Sequence, residues 1–307
     1  MNDSVLVLGA NGFIGRRLVH ALSAEGYRVV AVTRTPLPPQ KGVDLYFGQL
    51  READEFLRAL EGCGTLVHAA SASTPGSTGG RPLSELHGNL TPSLAMLEAL
   101  QQRPDVKLLY LSSAGTLYED HMGPPATERT PIAPRSYHGA GKAAAEHFIH
   151  AWHAQGYGTA TIVRPTNVYG PEQQLRANFG IIPTCFAKMM HGEPLTVWGD
   201  GSVTRDYLYV DDLVDLCLKI VQKPSERSLT TVNASSGESI SLNDLFEELE
   251  AVAGMPLLRS YDSQRSLDAR HISVSSELAL SLYGWRASTP LREGLRNTWT
   301  WLNSLPA

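Results

Sequence analysis

Six short, almost uninterrupted apolar runs punctuate the first 165 positions: Val5–Leu8, Arg28–Thr33, Asp44–Phe47, Thr65–Ala69, Lys107–Ser112 and Thr159–Arg164. A strand that is apolar on both faces has to be covered on both. The stretches between these runs supply the cover. Ile14–Glu25, Glu52–Leu60, Leu83–Gln102 and Gly141–Gln155 read as helices. Alternation of this kind requires right-handed strand–helix–strand crossovers and predicts an α/β fold built on a doubly wound parallel sheet. Ligands on such a sheet bind beyond the carboxyl ends of its strands.

After Pro165 the rhythm changes. Asn167–Arg205 is loop-rich, a helix (Asp211–Gln222) and a strand (Thr230–Asn233) resume the earlier pattern, and Ser239–Ala307 is mixed. This predicts a nucleotide-binding domain from residues 1–166 and 203–235, and a smaller mixed α/β lobe from 167–202 and 236–307. The acidic pair Asp211-Asp212, ahead of an apolar helix, reads as N-terminal capping and dipole compensation.

The net charge of −5 carries no basic excess of the kind nucleic-acid binding needs. No apolar run approaches the roughly 18 residues of a membrane span. Val5–Leu8 follows the first residues directly and reads as a buried strand, so no leader peptide is expected and the protein is expected in the cytoplasm. Cys63, Cys185 and Cys217 are widely spaced, which predicts idle thiols in a reducing compartment. His147, His150 and His153 drift around their helix with no acid or thiol to complete a metal set, and Met189-Met190 reads as packing.

The turn after the first strand carries the chemistry. Gly9-Ala10-Asn11-Gly12-Phe13-Ile14-Gly15 leaves a strand and opens a helix. Its glycines allow a tight turn, close approach to a pyrophosphate and close helix–strand packing, and the helix N-terminus offers free N–H groups to phosphate. At the end of the second strand stands Thr33-Arg34 rather than an acid, so nothing repels a 2′-phosphate and a guanidinium can pair with one. NADP(H) is therefore favoured over NAD(H). Gln49, with Leu50 beside it, sits where the adenine edge would lie.

In combination these motifs resemble an extended short-chain dehydrogenase/reductase of the nucleotide-sugar epimerase/dehydratase family. The resemblance rests on the glycine triplet, on His68-Ala69-Ala70 and on Asn89. It also rests on Ser112-Ser113-Ala114-Gly115-Thr116-Leu117-Tyr118, Arg164-Pro165-Thr166-Asn167-Val168-Tyr169-Gly170-Pro171 and Gly199-Asp200-Gly201. Arg205-Asp206-Tyr207-Leu208-Tyr209-Val210-Asp211-Asp212, Arg265-Ser266-Leu267-Asp268 and Gly284-Trp285 complete it. It implies a Rossmann-like sheet domain, Ala69 and Ala70 against the cofactor, and a nucleoside diphosphate sugar in the second lobe. It further implies Asn167 on that substrate, Arg205 and Arg265 on its diphosphate, and a homodimer through Leu83–Gln102 and Gly141–Gln155. Structural salt bridges, with Asp211 or Asp268 for instance, are the other use open to the two arginines.

Members of that family place a tyrosine four residues before a lysine on one helix, with a serine or threonine on the fifth strand. The lysine lowers the phenol's pKa from about 10. This chain departs from the pattern: the residue four before Lys142 is His138, and Tyr137 is one place away. Ala114 stands where the hydroxyl is usual, with Ser113 and Thr116 flanking it. Three readings follow. The helix starts late and Tyr137 swings into place; or His138, with an ordinary pKa near 6.5, is the acid/base; or the chemistry is lost. The expected activity is epimerisation or keto-reduction, with hydride transfer at C4. The alternative is a catalytically impaired protein that binds nicotinamide cofactor and nucleotide sugar. The dehydratase branch uses an Asp-Glu pair where this chain has Gly115 and Thr116.

Overall fold

The computed structural model describes residues 4–74, 81–118, 123–175, 180–223, 228–263 and 271–305. Its strands are β1 (Ser4–Leu8), β2 (Arg28–Thr33), β3 (Val43–Phe47), β4 (Thr65–His68), β5 (Lys107–Leu111), β6 (Ala160–Pro165), β7 (Asn167–Tyr169), β8 (Leu195–Trp198), β9 (Thr204–Tyr209), β10 (Leu229–Ala234), β11 (Ser239–Ser241) and β12 (Arg259–Asp262). Its helices are α1 (Phe13–Ala24), α2 (Ala53–Ala59), α3 (Pro82–Glu85), α4 (Thr91–Gln101), α5 (Ala114–Leu117), α6 (Tyr137–Ala154), α7 (Ile181–His191), α8 (Val210–Gln222), α9 (Leu242–Ala253), α10 (Glu277–Tyr283) and α11 (Leu291–Asn303).

Seven strands form one parallel sheet in the order β3-β2-β1-β4-β5-β6-β10. The chain winds outward from β1 in one direction and from β4 in the other. The loops leaving these two strands therefore diverge, and a crevice opens at their carboxyl ends. The two-sided burial read from the sequence is visible within β1 itself: Val5 and Val7 enter one core cluster, Leu6 and Leu8 another. The first cluster is closed by α1 and α8 through Leu18, Leu22, Leu213 and Leu216; the second by α2, α4 and α6 through Phe56, Met96, Leu100, Ile149 and Trp152. Cys63, Cys185 and Cys217 are all buried free thiols. No described helix is long and apolar enough to cross a membrane.

The second part of the chain is interlaced with the first. A small sheet, β11-β9-β7, and the pair β12-β8 pack with α7, α9 and α11 around Phe186, Tyr207, Phe246, Leu249 and Leu295. Strand β9 lies in this small sheet, although its residues fall within the stretch assigned from sequence to the nucleotide-binding half. Conversely, Trp285, from the stretch assigned to the lobe, is fully buried in the first main-sheet cluster and donates its indole N–H to the Asp212 carbonyl. The Asp212 carboxylate does not cap its own helix; it accepts from the backbone N–H groups of Ser288 and Thr289 and fastens the tail. Buried Asp206 accepts from Thr166 after β6 and from Ser236 and Gly237 after β10, which fixes the small sheet over the carboxyl edge of the large one.

Two helix readings are refined. The helix read as Leu83–Gln102 is continuous from Pro82 to Gln101 but widens into a π-turn, Leu86–Leu90, between α3 and α4. Pro92 has no N–H to return to the carbonyl four residues back, so the regular ladder breaks at this turn. The helix expected from Gly141 starts at Tyr137, because Ser136 caps it by accepting from the Gly139 N–H at 3.0 Å.

Beneath α6, Arg164 and Glu146 form a buried pair, with Arg164 Nε donating to Oε1 at 3.0 Å and Arg164 also donating to the Tyr118 hydroxyl at 2.9 Å. Removing one partner of such a pair strands a charge in the core. Glu146→Ala is expected to lower the unfolding free energy by about 3–5 kcal/mol, read as a shift of the urea midpoint.

Candidate active site

The crevice between β1 and β4 is floored by the glycine turn. Gly9 has φ +85°, and a Cβ there would lie 2.7 Å from the Ala70 backbone; a Cβ on Gly15 would lie 2.1 Å from the Gly9 carbonyl. The close approach of loop, helix and neighbouring strand needs hydrogen at both positions. Gly12 caps α1 without a side-chain bond, and the first turn, with Phe13 and Ile14, carries no acid. The positive end of the helix is thus open to a phosphate group. Ala69 and Ala70 leave β4 across from it.

Around the outer end of the crevice, Asn11 donates to the Thr35 hydroxyl and accepts from Arg16 at 2.7 Å. Thr33 is buried and donates to the Thr35 carbonyl at 2.6 Å, shaping the loop that carries exposed Arg34. Gln49 is exposed and accepts from Arg51, while Leu50 is buried beneath it. These residues fit a dinucleotide with its pyrophosphate on Gly9–Gly15 and its adenosine end towards Arg34 and Gln49.

At the inner end, the early start of α6 decides which side chain faces in. Tyr137 is the first helical residue and 44% exposed; His138 and Lys142, one turn apart on one face, are each 7% exposed. The late start that would swing Tyr137 inward does not occur. Lys142 Nζ donates to the Leu111 carbonyl at 2.7 Å and stands 4.8 Å above the Tyr110 ring. Burial brings its pKa down to about 8, against the opposing pull of Glu85 and Glu146. His138 is brought down to about 4 by burial and then by the Lys142 charge, so its imidazole is neutral at pH 7. His68, at the end of β4, is brought down to about 3 for the same two reasons.

Of the hydroxyls, Ser113 precedes α5 from a half-buried position without a side-chain capping bond, and Ala114 is fully buried. The Thr116 Oγ1 is buried with no partner among the described residues. Its own backbone carbonyl lies against Gly139 of α6. An orphaned buried hydroxyl beside the inner face of α6 is a natural hydrogen-bond partner for a ligand. Asn167 lies next to Gly115 and donates to the Asp206 carbonyl at 2.8 Å. Arg205, on β9, donates to the Thr204 carbonyl at 2.8 Å. Arg265 lies outside the described residues.

Two residues that sequence reasoning passed over complete the inner end. Ser73 Oγ contacts His138 Nδ1 at 2.8 Å and Glu85 Oε2 at 2.6 Å, and Asn89 Nδ2 donates to Ser73 Oγ at 2.8 Å and to Glu85 Oε1 at 2.9 Å. The four-residue step from Glu85 to Asn89 was the available signal, obscured by the π-turn that widens the helix there.

Residues 5–234 match the model of the NAD dependent epimerase/dehydratase family. The chain belongs to that family. Among its relatives is a putative UDP-glucose 4-epimerase of Methanocaldococcus jannaschii, 26% identical over 98% of each chain. A UDP-glucose 4-epimerase of Mycolicibacterium smegmatis is 27% identical over 95% of this chain and 96% of the relative. Similar solved structures include the UDP-glucose 4-epimerase of Thermotoga maritima with UDP-glucose (TM-score 0.89, 26% identity, 98% of each chain). The Thermus thermophilus UDP-glucose 4-epimerase complex with NAD is a second (TM-score 0.88, 27% identity, 98% and 99% covered). A member of the NAD dependent epimerase/dehydratase family is an enzyme of nicotinamide-dependent chemistry.

The two buried histidines make this family member acid-sensitive in a defined window. Folded pKa values of about 3 and about 4 lie below the ordinary 6.5, so the unfolded chain binds more protons as pH falls below 6.5. Stability is full above pH 6.5 and is lost as pH falls towards 4 and then 3. Urea midpoints measured from pH 7 to 4 are expected to fall steadily, and His138→Asn to flatten part of that fall.

Proposed function

We propose that this protein is a C4 epimerase of nucleoside diphosphate sugars whose acid/base is His138. The observation that carries the reading is the side chain one turn before Lys142: a buried, neutral imidazole, with Tyr137 turned out to solvent. The names of its relatives, UDP-sugar epimerases among them, support the substrate class.

When bound, the nicotinamide supplies the acceptor and donor of hydride. The chain's own residues do the rest. His138 takes the proton of the sugar hydroxyl on Nε2 and returns it. Lys142, held by the Leu111 carbonyl, keeps positive charge beside the site. Thr116, with Ser113 near it, offers a hydroxyl to the sugar, Asn167 positions it, and Arg205 and Arg265 hold its diphosphate. Keto-reduction uses the same half-reaction, and one observation favours it. Arg34 is exposed beyond β2 with no acid at the strand's end, which supports NADP(H), a cofactor suited to a reductase that releases it each turn.

A panel of nucleotide sugars and their 4-keto forms tests the reaction. Interconversion of C4 epimers without net cofactor consumption is expected; oxidation of NADPH on 4-keto sugars alone establishes the reductase. His138→Ala is expected to lower turnover roughly 10²- to 10⁴-fold and Tyr137→Phe to leave it unchanged. If every sugar is untouched by the wild type, the chain is a ligand-binding member of its family.

Exposed Leu83, Leu86 and Phe148 on α3, the π-turn and α6 support a homodimer through these elements. Native mass spectrometry of the purified protein is expected to give two chains carrying NADP; a single chain, or NAD bound in preference, removes the corresponding proposal.

A further inference from the structure

The inner end of the site holds a closed set of hydrogen bonds whose directions can be worked out from the atoms alone. Asn89 Oδ1 accepts from the Ala72 backbone N–H at 2.7 Å, so the other end of that amide is the NH₂ group. Asn89 Nδ2 therefore donates both to Glu85 Oε1 at 2.9 Å and to Ser73 Oγ at 2.8 Å. The remaining Glu85 oxygen lies 2.6 Å from Ser73 Oγ. A carboxylate has no proton to give, so the single hydroxyl proton of Ser73 points at Glu85. Ser73 Oγ is then left only with lone pairs. One receives Asn89, and the other faces His138 Nδ1 at 2.8 Å. That contact is a hydrogen bond only if Nδ1 carries the proton.

We infer that Ser73 and Glu85 are positioning residues that hold His138 in its Nδ1–H form, so that Nε2 bears the lone pair and faces the substrate. The inference rests on His138 as the acid/base, the reading given above. When Nε2 takes the substrate's hydroxyl proton, Nδ1 keeps its own. The imidazolium donates to Ser73, which still donates to the Glu85 carboxylate. The new positive charge thus meets a negative one through a single hydroxyl, with no proton moved along the chain. A buried carboxylate that orients a histidine and steadies its charged form is an established device of acid–base sites. Here a serine stands between them.

The sequence supports the arrangement at two further points. A Cβ at position 141 would lie 2.4 Å from Glu85 Oε1, so the glycine there is what lets the carboxylate come up against α6. The π-turn, Leu86–Leu90, carries Asn89 just beyond Glu85 and packs against α6. Lys142 and Glu146 are the other charged groups close by. Both bear on the same helix, and neither bonds to Ser73.

The test is the tautomer of His138, read by ¹⁵N NMR of the histidine-labelled protein with its cofactor bound, at a pH where the ring is neutral. His138→Asn identifies its signals. Wild type is expected to show a protonated Nδ1 and an unprotonated Nε2; a predominant Nε2–H form overturns the proposal without any variant at Ser73 or Glu85. Glu85→Gln makes the sharper prediction. Its carbonyl oxygen stays with Asn89 and its amide donates to Ser73, whose proton turns to His138 Nδ1. The ring is then expected to switch to Nε2–H, with kcat falling roughly 10²-fold or more and KM little changed. Glu85→Asp, which keeps the charge, is expected to retain the wild-type tautomer. An unchanged tautomer in Glu85→Gln overturns the positioning role and leaves His138 as the acid/base. Full turnover in His138→Ala removes the acid/base reading instead, and the NMR result still decides what Glu85 and Ser73 do to the ring.

Discussion

A lysine taken out of water needs other company, and the surroundings of Lys142 organise this site. Its ammonium gives one proton to the Leu111 carbonyl at the end of β5 and stands over the Tyr110 ring. Two carboxylates act on it, Glu85 before the π-turn and Glu146 one turn further along α6. Each is tied to a network of its own. Glu146 pairs with Arg164 on β6, Arg164 with Tyr118, and Tyr118 with Asn233 on β10. Glu85 joins Asn89, Ser73 and His138. A charge that would be costly alone becomes the centre of a polar seam from the middle of the sheet to its edge strand. That seam holds α6 against the carboxyl ends of the strands.

The two halves of the chain meet around the same edge. Asp206 gathers the chain as it leaves β6 and β10, and Asp212 fastens the stretch that brings Trp285 into the main core. The small sheet is therefore bonded to the rim of the large one rather than joined to it by a linker. Asn167, paired with Tyr207 across β7 and β9, owes its place next to Gly115 to this arrangement.

Much of this was legible in the residues. Continuous apolar runs forecast buried parallel strands because period and burial are properties of the chain itself, and Gly9–Gly15 forecast an open helix end for the same reason. Family membership followed from motifs that survive at low identity. The inner end was harder. Which of Tyr137 and His138 is buried depended on where α6 begins, and Ser136 caps that start through one bond to a backbone N–H. Ser73 comes from a loop whose course is set by Asn89 and the β4 exit, and spacing carries no trace of it. Glu85 was hidden because the helical pattern across Leu83–Gln102 looked unbroken, whereas Pro92 interrupts the ladder that pattern assumes.

That interruption has a bearing on how such a site changes over generations. A π-turn holds one residue more than the regular helix it replaces, and each residue turns a helix by about 100°. Losing a single residue between Leu86 and Leu90 would close the wide turn and swing Glu85 about a quarter-turn away from Ser73. If His87 or Gly88 were the residue lost, every side chain discussed here would survive, and the alignment of two close relatives would show only a one-residue gap. In this chain the length of that turn, as much as the identity of the residue four before Lys142, sets whether Glu85 can stand behind His138.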